Sequence, residues 1–360
     1  MKLVKCIQWS VLVLFVGLLL VPSGSDLAVL NAQEEKKTEQ QKEDEVLDLE
    51  EAEKQAAKPT SDVGYTKEEY DAFQKALNNP DLKLRAEELM QFAKDKPESK
   101  LREHALNAVP AVMAELYQAK DMASLAPVAE SYLELKPGDE AALGVATEAF
   151  YTNKDYAKAT KYGEAFYEKK PSPELAQLLA HSFDQLKNDG KFANYAEKAL
   201  GNMSPQDAFF YSAKLSYYYA NRKDIGRAAT HCQKMMSAYG DGEPPPGYTA
   251  DKWNQEKARS YAIIGRNYYE RKQFANAVSA FNNSLKYYRQ NDEAYYYMGM
   301  SYWSANDPTN ALKSFAKSYS LNKAYAKTAR DKMETLYKAL NNGSVEGIDR
   351  ILRAAAAEMR

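Results

Sequence analysis

Apolar residues recur at helical spacing along most of the chain, from about Thr66 onward. The clearest segment runs from Tyr261 to Phe281, and a second runs from Tyr295 to Phe315. In each, apolar residues fall at i, i+3, i+4 and i+7, the spacing of a helix with one buried face. A short polar break, Glu-Arg-Lys-Gln in the first and Ser-Ala-Asn-Asp in the second, divides each segment. Each segment is therefore predicted to be a helical hairpin.

The two predicted hairpins repeat each other at one constant offset along the chain. Small residues in each pair of helices allow the backbones to approach, and aromatic side chains fill the remaining space. The matching positions are Tyr261 and Tyr295, Ile264 and Met298, Gly265 and Gly299, Tyr268 and Tyr302, Ala277 and Ala311, and Phe281 and Phe315. These residues are predicted to define the packing of the repeat.

This pattern resembles the tetratricopeptide repeat, a 34-residue helix-turn-helix with large-x2-Leu-Gly-x2-Tyr, then Ala-x3-Phe, then Pro. Tyr261 and Tyr295 stand where Trp is usual in that family, and Ile264 and Met298 stand where Leu is usual. The resemblance implies an all-α fold, an α-solenoid of stacked hairpins. It also implies a non-catalytic protein that binds a peptide or protein partner along a concave groove.

Weaker units precede the clear pair. Pro137, Pro171 and Pro205 are spaced at the same offset and punctuate the ends of these units. In one unit Gly163 replaces the usual Phe, and Thr147 replaces the usual small residue. The predicted domains are degenerate repeats over 65–250, two clear units over 251–325 and capping helices over 326–360. About eight hairpins are predicted: 66–105, 106–139, 140–172, 173–205, 206–250, 251–291, 292–325 and 326–360.

Two interruptions are predicted within the repeats. Residues 240–248 contain three consecutive prolines, which cannot be helical, so we expect an exposed loop and then a long helix from near Thr249. Asn341-Asn342-Gly343 is predicted to stop a helix in the last unit.

The N-terminal part of the chain, before the first predicted repeat, has a different character. Lys2 and Lys5 precede an apolar run over 7–21, followed by small residues, which indicates a signal peptide over 1–32. Export, to a bacterial periplasm or another extracytoplasmic place, is therefore expected; the alternative is an uncleaved membrane anchor at 7–21. Between Gln33 and Asp62 there are eleven acidic residues, five basic residues and no aromatic residue. This composition predicts a disordered charged linker over 33–64.

The composition and the absence of known motifs argue against several classes of function. With 48 Lys and Arg against 50 Asp and Glu, the chain lacks the basic excess of a nucleic-acid binder. Two Cys and three His argue against a disulfide framework and a histidine metal centre, and Cys232 is expected to be buried. The sequence has no phosphate-binding loop, zinc-protease motif or nucleophile elbow. We therefore predict no enzyme, cofactor or metal.

The resemblance also implies which side chains face a partner, because positions two, five, nine and twelve of each first helix line the groove in that family. The predicted groove residues are His181, Phe210, Lys214, Tyr217, Arg259, Arg266, Tyr269, Tyr296, Met300 and Trp303. The family's carboxylate clamp needs Lys and Asn at positions five and nine. Ala262 and Arg266 stand there, so that clamp is not predicted.

Three functions compete at this point. The leading one is a scaffold of the cell envelope that holds a peptide or protein, with Arg266 beside Tyr296 and Trp303 able to grip a carboxylate or an extended backbone. The second is a glycan-binding module that stacks Tyr and Trp rings on sugars. The third is an enzyme whose site lacks a known motif.

Overall fold

A computed structural model describes residues 64–240 and 242–359. Within them all regular structure is helical, with sixteen α-helices and no strand. The predicted all-α fold class, an α-solenoid of helical hairpins, is therefore confirmed. The predicted signal peptide and nearly all of the predicted linker lie outside the described residues.

The helices are numbered here in chain order. Their bounds are α1 Lys67–Leu77, α2 Leu82–Asp95, α3 Leu101–Gln118, α4 Met122–Leu135, α5 Glu140–Thr152, α6 Tyr156–Lys169, α7 Pro173–Gln185, α8 Asp189–Ala199, α9 Pro205–Asn221, α10 Ile225–Tyr239, α11 Ala250–Glu270, α12 Phe274–Tyr287, α13 Asp292–Ser304, α14 Pro308–Ser320, α15 Ala326–Leu340 and α16 Ile348–Glu358. A short 3-10 helix, Leu200–Asn202, lies between α8 and α9.

The chain divides into two compact units, one ending at Ala199 and one starting at Leu200. In the first, each of the helices α1 to α8 packs on the next. In the second, the same holds from α9 to α15. The last helix departs from this order, because α16 packs against α14.

Polar caps start most helices. Asp139, Ser172 and Thr249 each accept a hydrogen bond from a backbone N–H in the first turn of the helix that follows. Such caps satisfy N–H groups that have no partner inside the helix. The long helix α11 begins at Ala250, directly after Thr249, which confirms its predicted start. Helix α15 ends at Leu340, as the Asn-Asn-Gly stop predicts.

The turn inside six hairpins is built on a residue with left-handed backbone. Five of these residues are lysines, although Gly or Asn adopts this conformation at lower cost. The residues are Lys120, Lys154, Lys187, Lys223, Lys272 and Asn306, with φ between 58° and 63°. In four of these turns an Asp follows and caps the second helix, which explains how a short polar break reverses the chain.

The residues predicted to define the repeat form its core. Ala277, Phe281, Ala311 and Phe315 are fully buried. A methyl group added at Gly265 would lie 2.6 Å from Cε1 of Phe281, so the two helices are in direct contact there. The rest are buried or half-buried: Ile264, Tyr295, Met298 and Gly299 are buried, whereas Tyr261, Tyr268 and Tyr302 are half-buried.

One hairpin boundary differs from the prediction by more than one residue. The first hairpin is predicted to end at 105, but α3 already begins at Leu101. Leu101, Ala105 and Leu106 are all buried on this one helix, which continues through Pro110. Elsewhere, Cys232 is buried as predicted.

Candidate functional site

The predicted groove residues in the second unit lie on the first helices of three consecutive hairpins. We call these exposed and half-buried side chains the first-helix face. They are Phe210, Lys214 and Tyr217 on α9, Arg259, Arg266 and Tyr269 on α11, and Met300 and Trp303 on α13. Contacts between Tyr217 and Arg259, and between Tyr269 and a tyrosine of α13, join the three helices into one surface.

Arg259 is held between two helices. Its guanidinium carbon lies 3.3 Å from the centre of the Tyr217 ring, a cation–π arrangement. Its Nη1 donates a hydrogen bond to Ser216 Oγ at 3.2 Å and lies 3.7 Å from Glu256 Oε2. The Tyr217 hydroxyl donates to the other oxygen of Glu256. These contacts fix a cation on the first-helix face before any partner arrives.

Arg266 is paired with two carboxylates. Its Nε donates to Glu270 Oε1 at 3.2 Å, and its Nη1 lies 3.9 Å from Glu293 Oε1. Burial raises the pKa of Glu293, and the charge of Arg266 opposes that rise. The ring that Arg266 faces is Tyr297, at 5.3 Å. Because two carboxylates already occupy this guanidinium, a partner's carboxylate must compete with them.

Aromatic rings continue the surface around Arg266. Tyr269 lies 6.0 Å from Phe274 and 5.8 Å from Tyr297, measured between ring centres. Trp303 is half-buried and meets the Phe315 ring edge-on at 6.3 Å. Tyr269 and Trp303 each keep part of their surface in solvent, whereas Phe315 belongs to the repeat core.

Tyr296 lies in the core instead of the predicted groove. Its side chain is 8% exposed, and its ring stacks on Tyr325 at 5.0 Å. Ala262, at the same position of the preceding hairpin, is also buried, so this position of the repeat belongs to the core in both hairpins. Tyr297, the next residue of the same tyrosine run, is half-buried and lies beside Arg266. The small residue Ala262, one repeat offset before Tyr296, is the feature of the sequence that indicates that Tyr296, and not Tyr297, is the buried tyrosine.

In the first unit, tyrosines tie successive first helices together. The Tyr151 hydroxyl lies 3.1 Å from Nδ1 of the half-buried His181, and the Tyr156 ring meets His181 edge-on at 5.8 Å. One hairpin earlier, the Tyr117 hydroxyl donates to Glu148 Oε1 at 3.0 Å. Burial raises the pKa of Glu148 to about 7. The predicted groove residue His181 therefore has a structural partner.

A second ladder of polar contacts runs along the second helices of the first unit, and its residues are not among the predicted sites. In each step a glutamate accepts hydrogen bonds from a lysine and a tyrosine of the next hairpin. Glu130 accepts from Lys158 at 2.6 Å and Tyr162 at 2.9 Å, and Glu164 accepts from Lys191 at 2.6 Å and Tyr195 at 2.8 Å. The two glutamates are separated by the repeat offset, which is visible in the sequence.

Neither a metal site nor a membrane-spanning helix is found among residues 64–240 and 242–359. No group of three or more His, Cys, Asp or Glu side chains there is placed to hold a metal ion. Nor does any of these helices combine the length and apolarity needed to cross a membrane.

Comparisons with solved structures find several proteins that are similar to this chain. The chain is similar to MamA, residues 41 to the end, from Desulfovibrio magneticus RS-1, with 15% identity over 50% of this chain and 93% of that one and a TM-score of 0.32. It is similar to the C-terminal part of a TPR repeat-containing protein from Cytophaga hutchinsonii, with 18% identity over 59% and 77% and a TM-score of 0.36.

A tetratricopeptide repeat protein from Parabacteroides merdae gives 14% identity over 75% of this chain and 96% of that one, with a TM-score of 0.29. No protein-family model matches the sequence. No curated protein matches it either. The resemblance of the chain to the tetratricopeptide repeat therefore rests on its own repeat offset and on the Gly–Phe contacts that recur with it.

Proposed function

We propose that this protein is a non-catalytic scaffold that binds a peptide or protein along the first-helix face of α9, α11 and α13. The observation that carries the proposal is the continuous surface in which two arginines, each fixed by a tyrosine and a glutamate, alternate with half-exposed aromatic rings. Arginine, Tyr and Trp dominate the residues that contribute most to protein binding.

The fixed side chains favour binding because less conformational entropy is lost when the partner arrives. Arg259 and Arg266 are only about a quarter exposed, 24% each, and both are already neutralised in part by nearby glutamates. The surface therefore suits a partner that offers apolar side chains and backbone carbonyls more than one that offers a terminal carboxylate. This revises the expectation that Arg266 grips a carboxylate.

We propose that the protein acts outside the cytoplasm. The support is the basic start and apolar run over 7–21, followed by small residues, in the sequence. N-terminal sequencing of the protein recovered from cells tests this point. A mature chain that starts between about residues 26 and 33 supports export with cleavage, and an intact N-terminus in the membrane fraction supports the anchor.

A display selection for peptides on the purified protein tests the binding proposal. Affinities of the selected peptides are then measured for the wild type and for Arg266→Ala and Trp303→Ala. Arg227→Ala and Tyr319→Ala, on the second helices α10 and α14, are matched controls outside the first-helix face. A loss of affinity of at least tenfold in both test variants, and in neither control, supports the proposal. Equal affinity in all five proteins, or enrichment on a glycan array only, contradicts it.

A further inference from the structure

A cavity of about 400 Å³ lies between α14 and α16, away from the first-helix face. Leu312, Ile351 and Ala355 are among its lining residues; Leu312 and Ala355 are buried and Ile351 is half-buried. The cavity exists because α16 packs on α14. Its volume is within the range of sites that hold small molecules, roughly 300 to 1,000 Å³.

The two ends of this cavity differ in charge. At one end Lys317 Nζ lies 2.7 Å from Glu358 Oε2, so an ion pair closes it. Arg350 is eight residues before Glu358 on α16, which places it about 12 Å away along the helix axis. Lys313 lies one turn before Lys317 on α14. Neither Lys313 nor Arg350 has a carboxylate within 4 Å among the residues that the structure describes, although the charge of Lys313 also acts on Asp307 and Glu358 at longer range. The two cations of this open end are therefore only partly offset by carboxylates.

We propose that this cavity binds a single-chain amphiphile with an anionic head, of the class of medium-chain carboxylates. The apolar chain lies against Leu312, Ile351 and Ala355, and the carboxylate is placed at the open end beside Lys313 and Arg350. The charge of the open end complements the head, and the apolar lining complements the chain.

The shape of the cavity favours a chain with an end over a polypeptide. The Lys317–Glu358 ion pair bridges α14 and α16 at one end of the cavity, so a polypeptide that lay along the cavity would have to pass over this pair. The lining residues extend over about two turns of each helix, which is long enough for a medium-length acyl chain.

Titration calorimetry of the full-length chain with decanoate, below the concentration at which decanoate forms micelles, tests this proposal. The affinity is expected to rise about fourfold for each methylene group added between hexanoate and decanoate, because each buried methylene contributes a constant increment. Decanol is expected to bind more weakly than decanoate, and decyltrimethylammonium weakest of the three, because the open end is cationic.

Two variants separate the head from the chain. The double variant Lys313→Glu/Arg350→Glu reverses the open end and is expected to weaken decanoate binding about tenfold while leaving decanol binding unchanged. Ala354→Phe places a ring in the cavity and is expected to abolish binding of both. Lys327→Glu/Lys338→Glu, on α15 outside the cavity, is the charge-matched control and is expected to bind as the wild type does.

Circular dichroism melts verify that each variant is folded. Absence of decanoate binding to the wild type overturns the proposal. So does equal binding to the wild type and to a folded Ala354→Phe variant, because that result places the ligand elsewhere in the chain. A third outcome is binding only to vesicles of anionic lipid, or only to an acidic peptide, with that binding lost in the charge-reversed variant. This outcome assigns the cationic end to a membrane or to a protein, and it also overturns the proposal.

Discussion

Gly265 and Phe281 lie in such close contact that a methyl group on Gly265 would be 2.6 Å from Cε1 of the Phe281 ring. The same contact joins Gly299 to Phe315 one hairpin later, at 2.7 Å. Both rings are fully buried. The contact sets how closely the two helices of a hairpin approach, and it places α11 and α13 where their outer sides form the first-helix face.

Gly265→Ala is expected to lower the free energy of unfolding, because overpacking a filled core costs about 1–3 kcal/mol, more than the gain in helix propensity. Gly226→Ala is the matched control on α10, where an added methyl would meet nothing closer than 3.9 Å. That variant is expected to gain up to about 1 kcal/mol. Denaturant melts of both variants measure the change in the free energy of unfolding. A gain in stability for Gly265→Ala would mean that the Phe281 ring shifts to accommodate the methyl group.

The left-handed lysines predict a stabilising substitution. Lys154 has φ of 63°, a conformation that Gly adopts without steric cost. Lys154→Gly is therefore expected to raise the free energy of unfolding by about 0.5–1 kcal/mol. Lys234→Gly, in the middle of α10, is expected to lower it by about 1 kcal/mol. Thermal melts in which both substitutions destabilise equally would contradict the assigned turn.

The buried carboxyl of Glu148 predicts a pH dependence of stability. Its pKa of about 7 in the folded chain lies above the ordinary value of 4.5, because burial disfavours its charged form. Its contribution to the free energy of unfolding is therefore complete below pH 4.5 and is lost as the pH rises through 7, by about 3 kcal/mol in total.

Glu148→Gln removes this titration and can keep the hydrogen bond with Tyr117. Denaturant melts of the wild type and the variant at a series of pH values between 4 and 8 measure the difference. We expect the variant to gain stability relative to the wild type as the pH rises across this range. A constant difference between the two proteins would show that Glu148 is not buried as described.

The contact between Tyr217 and Glu256 predicts an energetic coupling across the proline-containing loop. A double-mutant cycle with Tyr217→Phe and Glu256→Gln is expected to give a coupling free energy of about 0.5–1.5 kcal/mol, the usual net value of a hydrogen bond. Arg259→Lys is expected to weaken the same cluster, because an ammonium lacks the flat surface that stacks on Tyr217. Strict additivity in the cycle would mean that α9 and α11 are not joined here.

The sequence was sufficient to predict the hairpins and the small and aromatic residues that pack them, because both follow one fixed offset along the chain. Thr147 and Gly163 are also in close contact: a methyl group on Gly163 would lie 3.0 Å from Cγ2 of Thr147 and 2.8 Å from Cδ2 of Leu179. The volume that Phe281 fills from the second helix of its hairpin is filled there by Thr147 of the same hairpin and by Leu179 of the next one. Both substitutions are visible in the sequence, but the contact between them is not.

The contacts of Arg259 and Arg266 could not be predicted from the sequence. Tyr217 and Glu256 are separated by more than one repeat length, because the loop after α10 interrupts the regular offset. Periodicity therefore gave no reason to pair them. Tyr296 shows a different limit: consecutive residues on a helix point about 100° apart, and a run of three tyrosines does not say which one is buried. The structure buries Tyr296 and leaves Tyr297 half-buried beside Arg266.

We propose that a partner binds at the first-helix face of α9, α11 and α13. Photo-crosslinking tests this proposal, with a benzophenone amino acid introduced in place of Phe210, Tyr269 or Trp303 in one series and in place of Tyr288 or Tyr319 in another. The first series lies on the first-helix face, and the second lies at or on second helices. We predict that one partner crosslinks to all three positions of the first series and to neither control. Crosslinks of equal yield from both series, or from the controls alone, would contradict the account.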